Sequence, residues 1–153
     1  MKHCGFRVRR ANLDDLKELA EFTEAEFCEA EKNEGAPDSI RTGVKAALED
    51  DSLGMYWILA EEDSRAVGNV SVVKEWSDWH AGYYWWIQSM YIKPDFRGKG
   101  LMEMLLEAVK TAARAENAID LRLYVHKLNA RAIKAYRKSG FSDSDYKIMS
   151  MKL

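Results

Sequence analysis

Residues 94–101, which read Pro-Asp-Phe-Arg-Gly-Lys-Gly-Leu, have the composition of an anion-binding loop. Gly98 and Gly100 let the backbone approach a bound group closely and adopt positive φ. Arg97 and Lys99 add two positive charges. A helix that begins after this loop would attract a phosphate or pyrophosphate with its unpaired N–H groups. The spacing matches neither the Walker A pattern nor G-x-G-x-x-G, so a glycine turn with solvated charges is the alternative.

Residues 129–141 place an asparagine and a phenol on one face of a predicted helix. Asn129, Ala132, Ile133 and Tyr136 recur at helical spacing, so they share that face. A phenol in this position could serve the thiol of a cofactor. The alternative is a core tyrosine above the glycine that ends the helix in the left-handed conformation.

A sheet and several helices must position these two segments. Strand patterns and turn residues predict strands at 6–10, 56–61, 66–75, 83–92, 121–125 and 146–153. The fourth strand leads into the loop and ends at Pro94, which has no N–H to donate to a ladder. Apolar residues at helical period predict helices after Asn12, after Pro37, over 101–116 and over 129–139.

The composition is that of a soluble globular protein. Of 153 residues, 47% are hydrophobic and 31% are charged, and the net charge of -2 gives no general attraction to nucleic acid or to an anionic membrane. The two cysteines, Cys4 and Cys28, lack metal-site spacing and make no disulfide framework. We found no apolar run of membrane-spanning length. We therefore expect a cytoplasmic protein with one domain over residues 1–153, no metal, and neither a nucleic-acid nor a membrane partner.

The two segments, in this order, resemble the GNAT superfamily of acetyl-CoA-dependent N-acetyltransferases. That family's phosphate loop is R/Q-x-x-G-x-G/A, and residues 97–102 read Arg-Gly-Lys-Gly-Leu-Met. The later family helix often reads N-x-x-A-x-x-x-Y-x-x-x-G-F, which residues 129–141 match at every motif position. Residues 90–94 resemble the strand that enters the loop, so the resemblance covers nearly the whole chain.

The resemblance implies an α/β (α+β) fold with a mixed sheet of about six to seven strands and about four helices. The fourth and fifth strands would splay apart, leaving a slot for the pantetheine arm of acetyl-CoA. The implied acetyl-CoA contacts are Met90, Tyr91, Ile92, Arg97, Gly98, Lys99, Gly100, Leu101, Met102, Asn129 and Tyr136. The resemblance also implies that Tyr136 protonates the leaving thiolate.

Two positions depart from the family pattern. Met102 stands where the loop usually has Gly or Ala, so its flexible side chain must turn away from the pyrophosphate. Gln88 stands where polyamine-type members have a glutamate base, and an amide cannot take a proton at neutral pH. Alternation along the strand predicts that Trp86, Gln88 and Met90 share one face. Gln88 then orients substrate or water, or simply bonds a neighbour in the sheet.

The sequence leaves the general base and the acceptor open. Glu75, Asp78 and His80 are further candidates for the base, with exposed loop positions as the alternative. An acidic wall for a cationic amine is predicted from Glu21, Glu24, Glu26, Glu29, Glu31 and Glu34, although a solvated helix face is the simpler interpretation. A tryptophan cluster, which either stacks on substrate or packs in the core, comprises Trp76, Trp79, Trp85 and Trp86.

The leading functional hypothesis is transfer of an acetyl group from acetyl-CoA to a primary amine by direct attack. The alternative is a non-catalytic acyl-CoA-binding or sensor domain of the same fold, which Met102 and Gln88 favour and Tyr136 disfavours. We expect the acceptor to be a small-molecule or peptide amine, and the sequence is compatible with a homodimer.

Overall fold

The computed structural model describes residues 5–63 and 65–153. Five strands form one sheet in the order of the sequence. They are β1 (Phe6–Arg10), β2 (Met55–Glu61), β3 (Ala66–Ser77), β4 (Gly82–Ile92) and β5 (Leu121–Leu123). The first four strands pair antiparallel and β5 pairs parallel with β4, so the sheet is mixed as predicted.

Four α-helices flank the sheet: α1 (Leu16–Glu31), α2 (Ile40–Glu49), α3 (Leu101–Ala115) and α4 (Ala130–Lys138). The predicted caps form. The Asn12 side chain accepts from Asp14 N in a short 3-10 turn that leads into α1. The Asn129 side chain accepts from Ala132 N at 3.1 Å, and Gly140 follows α4 with φ of 99°.

The core has two layers because successive side chains of a strand point to opposite faces. In β2, Met55, Trp57 and Leu59 belong to the cluster that α3 covers. Tyr56 and Ile58 belong to the opposite cluster, which α1 and α2 cover. The helix pair α1 and α2 thus forms the wall above one face of the sheet.

Ion pairs hold both ends of α1 against the sheet and the loop. Arg9 of β1 forms two bonds to Asp15, at 2.7 and 2.8 Å, just before the helix begins. The Arg9 guanidinium lowers the pKa of the Asp15 carboxyl. Near the other end, Arg97 bonds both carboxylate oxygens of Glu29. The side chains of α1 are therefore placed firmly relative to β4.

The prediction of six to seven strands is wrong, because residues 146–153 form no strand. The predicted fifth strand also ends at Leu123 rather than at 125. In the C-terminal segment both alternating sets are exposed, with Tyr146 76% and Met149 83% exposed. Alternation predicts a strand only if one face is buried, and neither face is buried here. The mixed α/β class and the four helices are confirmed.

A β-bulge at Gln88 divides β4 into two halves. Ser71 pairs with Ser89 and the next residue, Val72, pairs with Ile87, which leaves Gln88 without a partner on β3. The pairing with β5 covers residues 85–87, and in the described chain no strand pairs with that edge beyond Ile87. The bulge thus coincides with the point where β4 and β5 part.

Two other expectations concern the thiols and the membrane. Cys28 is a free thiol, and Cys4 lies outside the described residues. Within residues 5–63 and 65–153, each helix is too short or too polar to cross a bilayer.

Candidate active site

The glycine loop before α3 has the backbone that an anion site requires. Gly98 and Gly100 have φ of 75° and 73°, the left-handed region that glycine adopts without strain. Gly100 caps α3, so the free N–H groups of a 15-residue helix follow directly. A Cβ atom on Gly98 would meet nothing within 4 Å, so this backbone is open to a bound group.

The two charges of the loop are used differently. Arg97 donates through Nε to the Ile92 carbonyl at 2.7 Å, and its guanidinium pairs with Glu29. Lys99 lies over the Phe96 ring at 5.2 Å. Arg97 therefore fixes the loop to β4 and α1, and the attraction for an anion falls to Lys99 and to the helix N-terminus.

The first residues of α3 face the core. Leu101 is 2% exposed, and Met102 packs against the cluster beneath α3. The methionine is thus partly buried against that core, as its flexible thioether allows. That the Met102 side chain turns away from a bound pyrophosphate stays a prediction.

The second half of β4 presents the Met90 N–H on its unpaired edge. Met90 N–H donates to Oε1 of Glu26 at 3.1 Å, because no strand pairs with this edge. Tyr91 is buried with its ring 5.5 Å from that of Phe22, and the Ile92 carbonyl is already bonded to Arg97. Of the three predicted edge residues, Met90 has an N–H that is held by a side chain, which an incoming group could displace.

The expectation that Trp86, Gln88 and Met90 share one face is wrong, because the bulge interrupts the alternation. Met90 packs against the same cluster as Trp85 and Ile87, beneath α3. Gln88, exposed on the bulge, borders a cleft on the other face. Because the bulge inserts one residue, each side chain of β4 after Gln88 points to the face opposite to the one that strict alternation predicts.

That cleft, which we call the acceptor cleft, has a volume of about 470 Å3. It lies between α1, α2 and the middle of the sheet. It is lined by Thr23, Glu26, Phe27, Ala30, Glu31, Ile40, Gly43, Val44, Ala47, Leu53, Tyr56, Gln88 and Ser89. The wall is mostly apolar, with two carboxylates, three hydroxyls and the Gln88 amide as its polar side-chain groups, so it could hold a small organic cation.

Glu26 is the titratable group at the inner end of the cleft. Its side chain is half-buried, and burial raises the pKa of Glu26 to about 7. The bond from Met90 N–H lowers this pKa, and the neighbouring Glu29 carboxylate raises it. A carboxyl with this pKa changes its protonation near neutral pH, which is the property of a general base.

Tyr136 lies on α4, half-buried, with its ring 5.7 Å from Phe141. Burial raises its pKa, and the Glu26 carboxylate raises it further. The phenol is therefore within electrostatic reach of Glu26. Tyr136 also borders a second cleft, of about 880 Å3, together with β5 and residues 139–148. The Asn129 oxygen is occupied by its cap bond at the start of the same helix.

Several other candidates from the sequence lie away from this site. Glu75, Asp78 and His80 are exposed and do not line the acceptor cleft. Of the six glutamates, only Glu26 and Glu31 line it, and Glu29 pairs with Arg97 instead. None of the tryptophans does so, since Trp85 is core, Trp86 stacks on Tyr124 and the other two are exposed on the β3–β4 hairpin. In the described part of the chain, no group of acidic, histidine or cysteine side chains could hold a metal ion.

A periodicity signal could have singled out Glu26. Leu19, Phe22, Glu26 and Glu29 follow one another at helical spacing, and Leu19 and Phe22 are buried. Glu26, one turn after the buried Phe22, continues the buried stripe, which ends at the exposed Glu29. Because Glu26 is one of six closely spaced glutamates, the composition of the segment alone does not distinguish it from the solvated ones.

The fold and these motifs agree with the comparisons to known proteins. The model of the Acetyltransferase (GNAT) family matches residues 16–141. A possible acetyltransferase from Clostridium difficile 630 superposes with a TM-score of 0.89 at 32% identity, covering 97% of this chain and 98% of that one. The chain belongs to the GNAT family.

Two curated relatives share 27% identity with the chain. The aminoalkylphosphonate N-acetyltransferase of Salmonella typhimurium aligns over 140 residues, covering 92% of this chain and 87% of that protein. The mycothiol acetyltransferase of Propionibacterium freudenreichii subsp. shermanii aligns over 152 residues and 90% of this chain. The chain spans less than half, 43%, of that mycothiol acetyltransferase.

Proposed function

We propose that this protein transfers an acetyl group from acetyl-CoA to a primary amine bound in the acceptor cleft. The observation that carries the proposal is the Met90 N–H, which no strand of the described residues pairs and which donates only to the Glu26 side chain, where the acceptor cleft meets the unpaired half of β4. A thioester carbonyl at this N–H would face an amine in the cleft. Membership of the GNAT family supports acetyl-CoA as the acetyl donor.

The loop before α3 suits the pyrophosphate of acetyl-CoA. Gly98 presents an open backbone, Gly100 begins the helix with positive φ, Lys99 supplies a charge, and α3 adds its N-terminal N–H groups. Arg97 keeps the loop in place through Ile92 and Glu29. The pantetheine arm would then run along the free edge of β4 as an added strand does. Bound acetyl-CoA would supply the activated acyl group.

The side chains around Met90 match the needs of direct attack. Met90 N–H can stabilise the negative charge that develops on the thioester oxygen. Tyr136, whose raised pKa keeps it protonated at neutral pH, can give its proton to the departing sulfur. Gln88 lines the cleft, and its amide can orient the amine or a water but cannot accept the proton.

We propose a small cationic amine as the acceptor. The cleft volume of about 470 Å3 fits a small molecule or the end of a peptide. Glu26 and Glu31 provide negative charge, and Phe27, Ile40 and Val44 provide an apolar wall. The name of the Salmonella relative, an aminoalkylphosphonate N-acetyltransferase, favours the small molecule over the peptide.

A panel of amines incubated with acetyl-CoA, with products identified by mass spectrometry, tests this proposal. Cationic primary amines should be acetylated in preference to neutral ones of equal size. Raising the salt concentration should increase their KM about threefold, because screening weakens attraction beyond ~8 Å at physiological ionic strength. Glu31→Gln should increase KM about two- to fivefold, the range for an exposed charge pair. Equal KM values for neutral and cationic amines, insensitive to salt, would contradict the acidic cleft.

A further inference from the structure

Glu26 and an incoming thioester need the same backbone donor. Oε1 of Glu26 accepts from Met90 N–H at 3.1 Å, and Glu26 also lines the acceptor cleft. In the proposed reaction a carbonyl oxygen takes that N–H. The carboxylate must then move, and the cleft beside it is the space into which it can turn.

We infer that Glu26 is the proton acceptor for the amine, and that the arriving thioester moves its carboxylate from Met90 N–H toward the amine. The inference rests on the proposed function and names the base that Gln88 cannot provide. Glu26 would thus hold the donor in the free protein and face the reacting nitrogen in the complex.

The other titratable groups that line the cleft are less suited to the role. Tyr56 is a phenol whose pKa is raised, first by burial, so it keeps its proton at neutral pH. Glu31 is exposed and makes no bond to β4 in the described residues. Glu26 alone combines a carboxylate with direct contact to the backbone where the acetyl group would sit.

The charges that face Glu26 come from several elements. The apolar lining from α2 contributes no charge near it. The groups that interact with it or flank it are Glu29 and Glu31 of its own helix, Tyr56 of β2, Tyr136 of α4, and Arg97, which neutralises Glu29. No cation bonds Glu26 in the described residues, so burial dominates and its pKa stands at about 7. The carboxylate form is present above that pH and lost below it.

The step balances with these residues and water. The amine attacks in its neutral form, after its ammonium proton has passed to solvent. Its nitrogen forms the bond to the acyl carbon, the carbon–sulfur bond breaks, and the sulfur leaves as a thiolate. The nitrogen gives its proton to Glu26, and Tyr136 gives its own to the sulfur. Exchange with water restores both groups, because Glu26 releases its proton and the Tyr136 phenolate takes one up.

Glu26→Gln tests the inference, because glutamine keeps the size and can still accept from Met90 N–H. We expect kcat to fall about a hundredfold, the lower part of the range for a lost general base. The acidic limb of the kcat/KM profile near pH 7 should disappear, and acetyl-CoA affinity should stay within about twofold. Glu26→Asp should recover part of kcat. The control is Glu24→Gln, the same change on an exposed residue of α1, which should behave as wild type.

Calorimetry supplies a readout that does not depend on turnover. Met90 N–H lowers the pKa of Glu26, so losing this bond to acetyl-CoA raises it. The wild type should therefore take up a fraction of a proton on binding acetyl-CoA near pH 7, measured in two buffers of different ionisation enthalpy. Glu26→Gln should take up none from this source.

The outcomes separate this inference from the proposed function. Normal kcat with an unchanged pH profile in Glu26→Gln, while the wild type acetylates amines, would overturn the role of Glu26 alone. Identical proton uptake in the two proteins would overturn the displacement. A wild type that binds acetyl-CoA and acetylates no amine would overturn the proposed function and this role with it.

Discussion

Tyr136→Phe should lower turnover about 10²- to 10⁴-fold, the range for loss of a general acid. The change keeps the ring and its contact with Phe141 while removing the hydroxyl. A free thiol titrates near ~8.5 and a phenol near ~10, so transfer of the proton to the thiolate is uphill and the phenol helps the departure of the sulfur without being indispensable. Because the pKa of Tyr136 is raised, its proton stays available through neutral pH.

Stopped-flow thiol release and thermal melting measure this prediction together. We expect a normal melting temperature, near-normal acetyl-CoA affinity and slow thiol release. Tyr83→Phe, the same change on the β3–β4 hairpin, should keep full activity because Tyr83 lies 44% exposed and outside the acceptor cleft. Full turnover in Tyr136→Phe would show that solvent protonates the thiolate, and Tyr136 would then have a packing role.

Gly100→Asp should weaken acetyl-CoA binding about a hundredfold, which corresponds to ~2.7 kcal/mol. Two effects add. The carboxylate repels the pyrophosphate at the start of α3, and a side chain occupies space beside a backbone with φ of 73°. Titration calorimetry of the folded variant measures the change.

Gly100→Asn separates charge from shape. Asparagine has nearly the size of aspartate and tolerates positive φ better than other residues, but it carries no charge. We expect it to lose about tenfold in affinity, with the remaining loss in Gly100→Asp due to repulsion. Equal affinity in wild type and Gly100→Asp would remove the loop from the acetyl-CoA site.

The sequence predicted most of the framework because its signals were local. Asn12 and Asn129 cap the segments where their side chains indicate helix starts, and Gly140 takes the left-handed conformation after α4. The loop between β4 and α3 follows from glycines that need positive φ. Each of these features depends on a few consecutive residues, so no tertiary information was needed.

The sequence-based predictions fail for features that tertiary contacts determine. The alternation in residues 146–153 predicted a strand, but no buried face receives it. The bulge at Gln88 depends on the register against β3, which the sequence of β4 alone does not contain. The sequence predicts an acidic wall of six glutamates that includes Glu26, and only packing against β4 distinguishes Glu26 from the solvated ones.

The most direct test of the proposed acetyl transfer is thiol release from acetyl-CoA by the wild-type protein, measured with and without a cationic primary amine. We predict slow release without the amine and release that saturates with amine concentration, matched mole for mole by acetylated amine. If the protein binds acetyl-CoA but none of the tested amines causes thiol release, the proposed acetyl transfer is contradicted. The protein would then be an acyl-CoA-binding domain of the same fold.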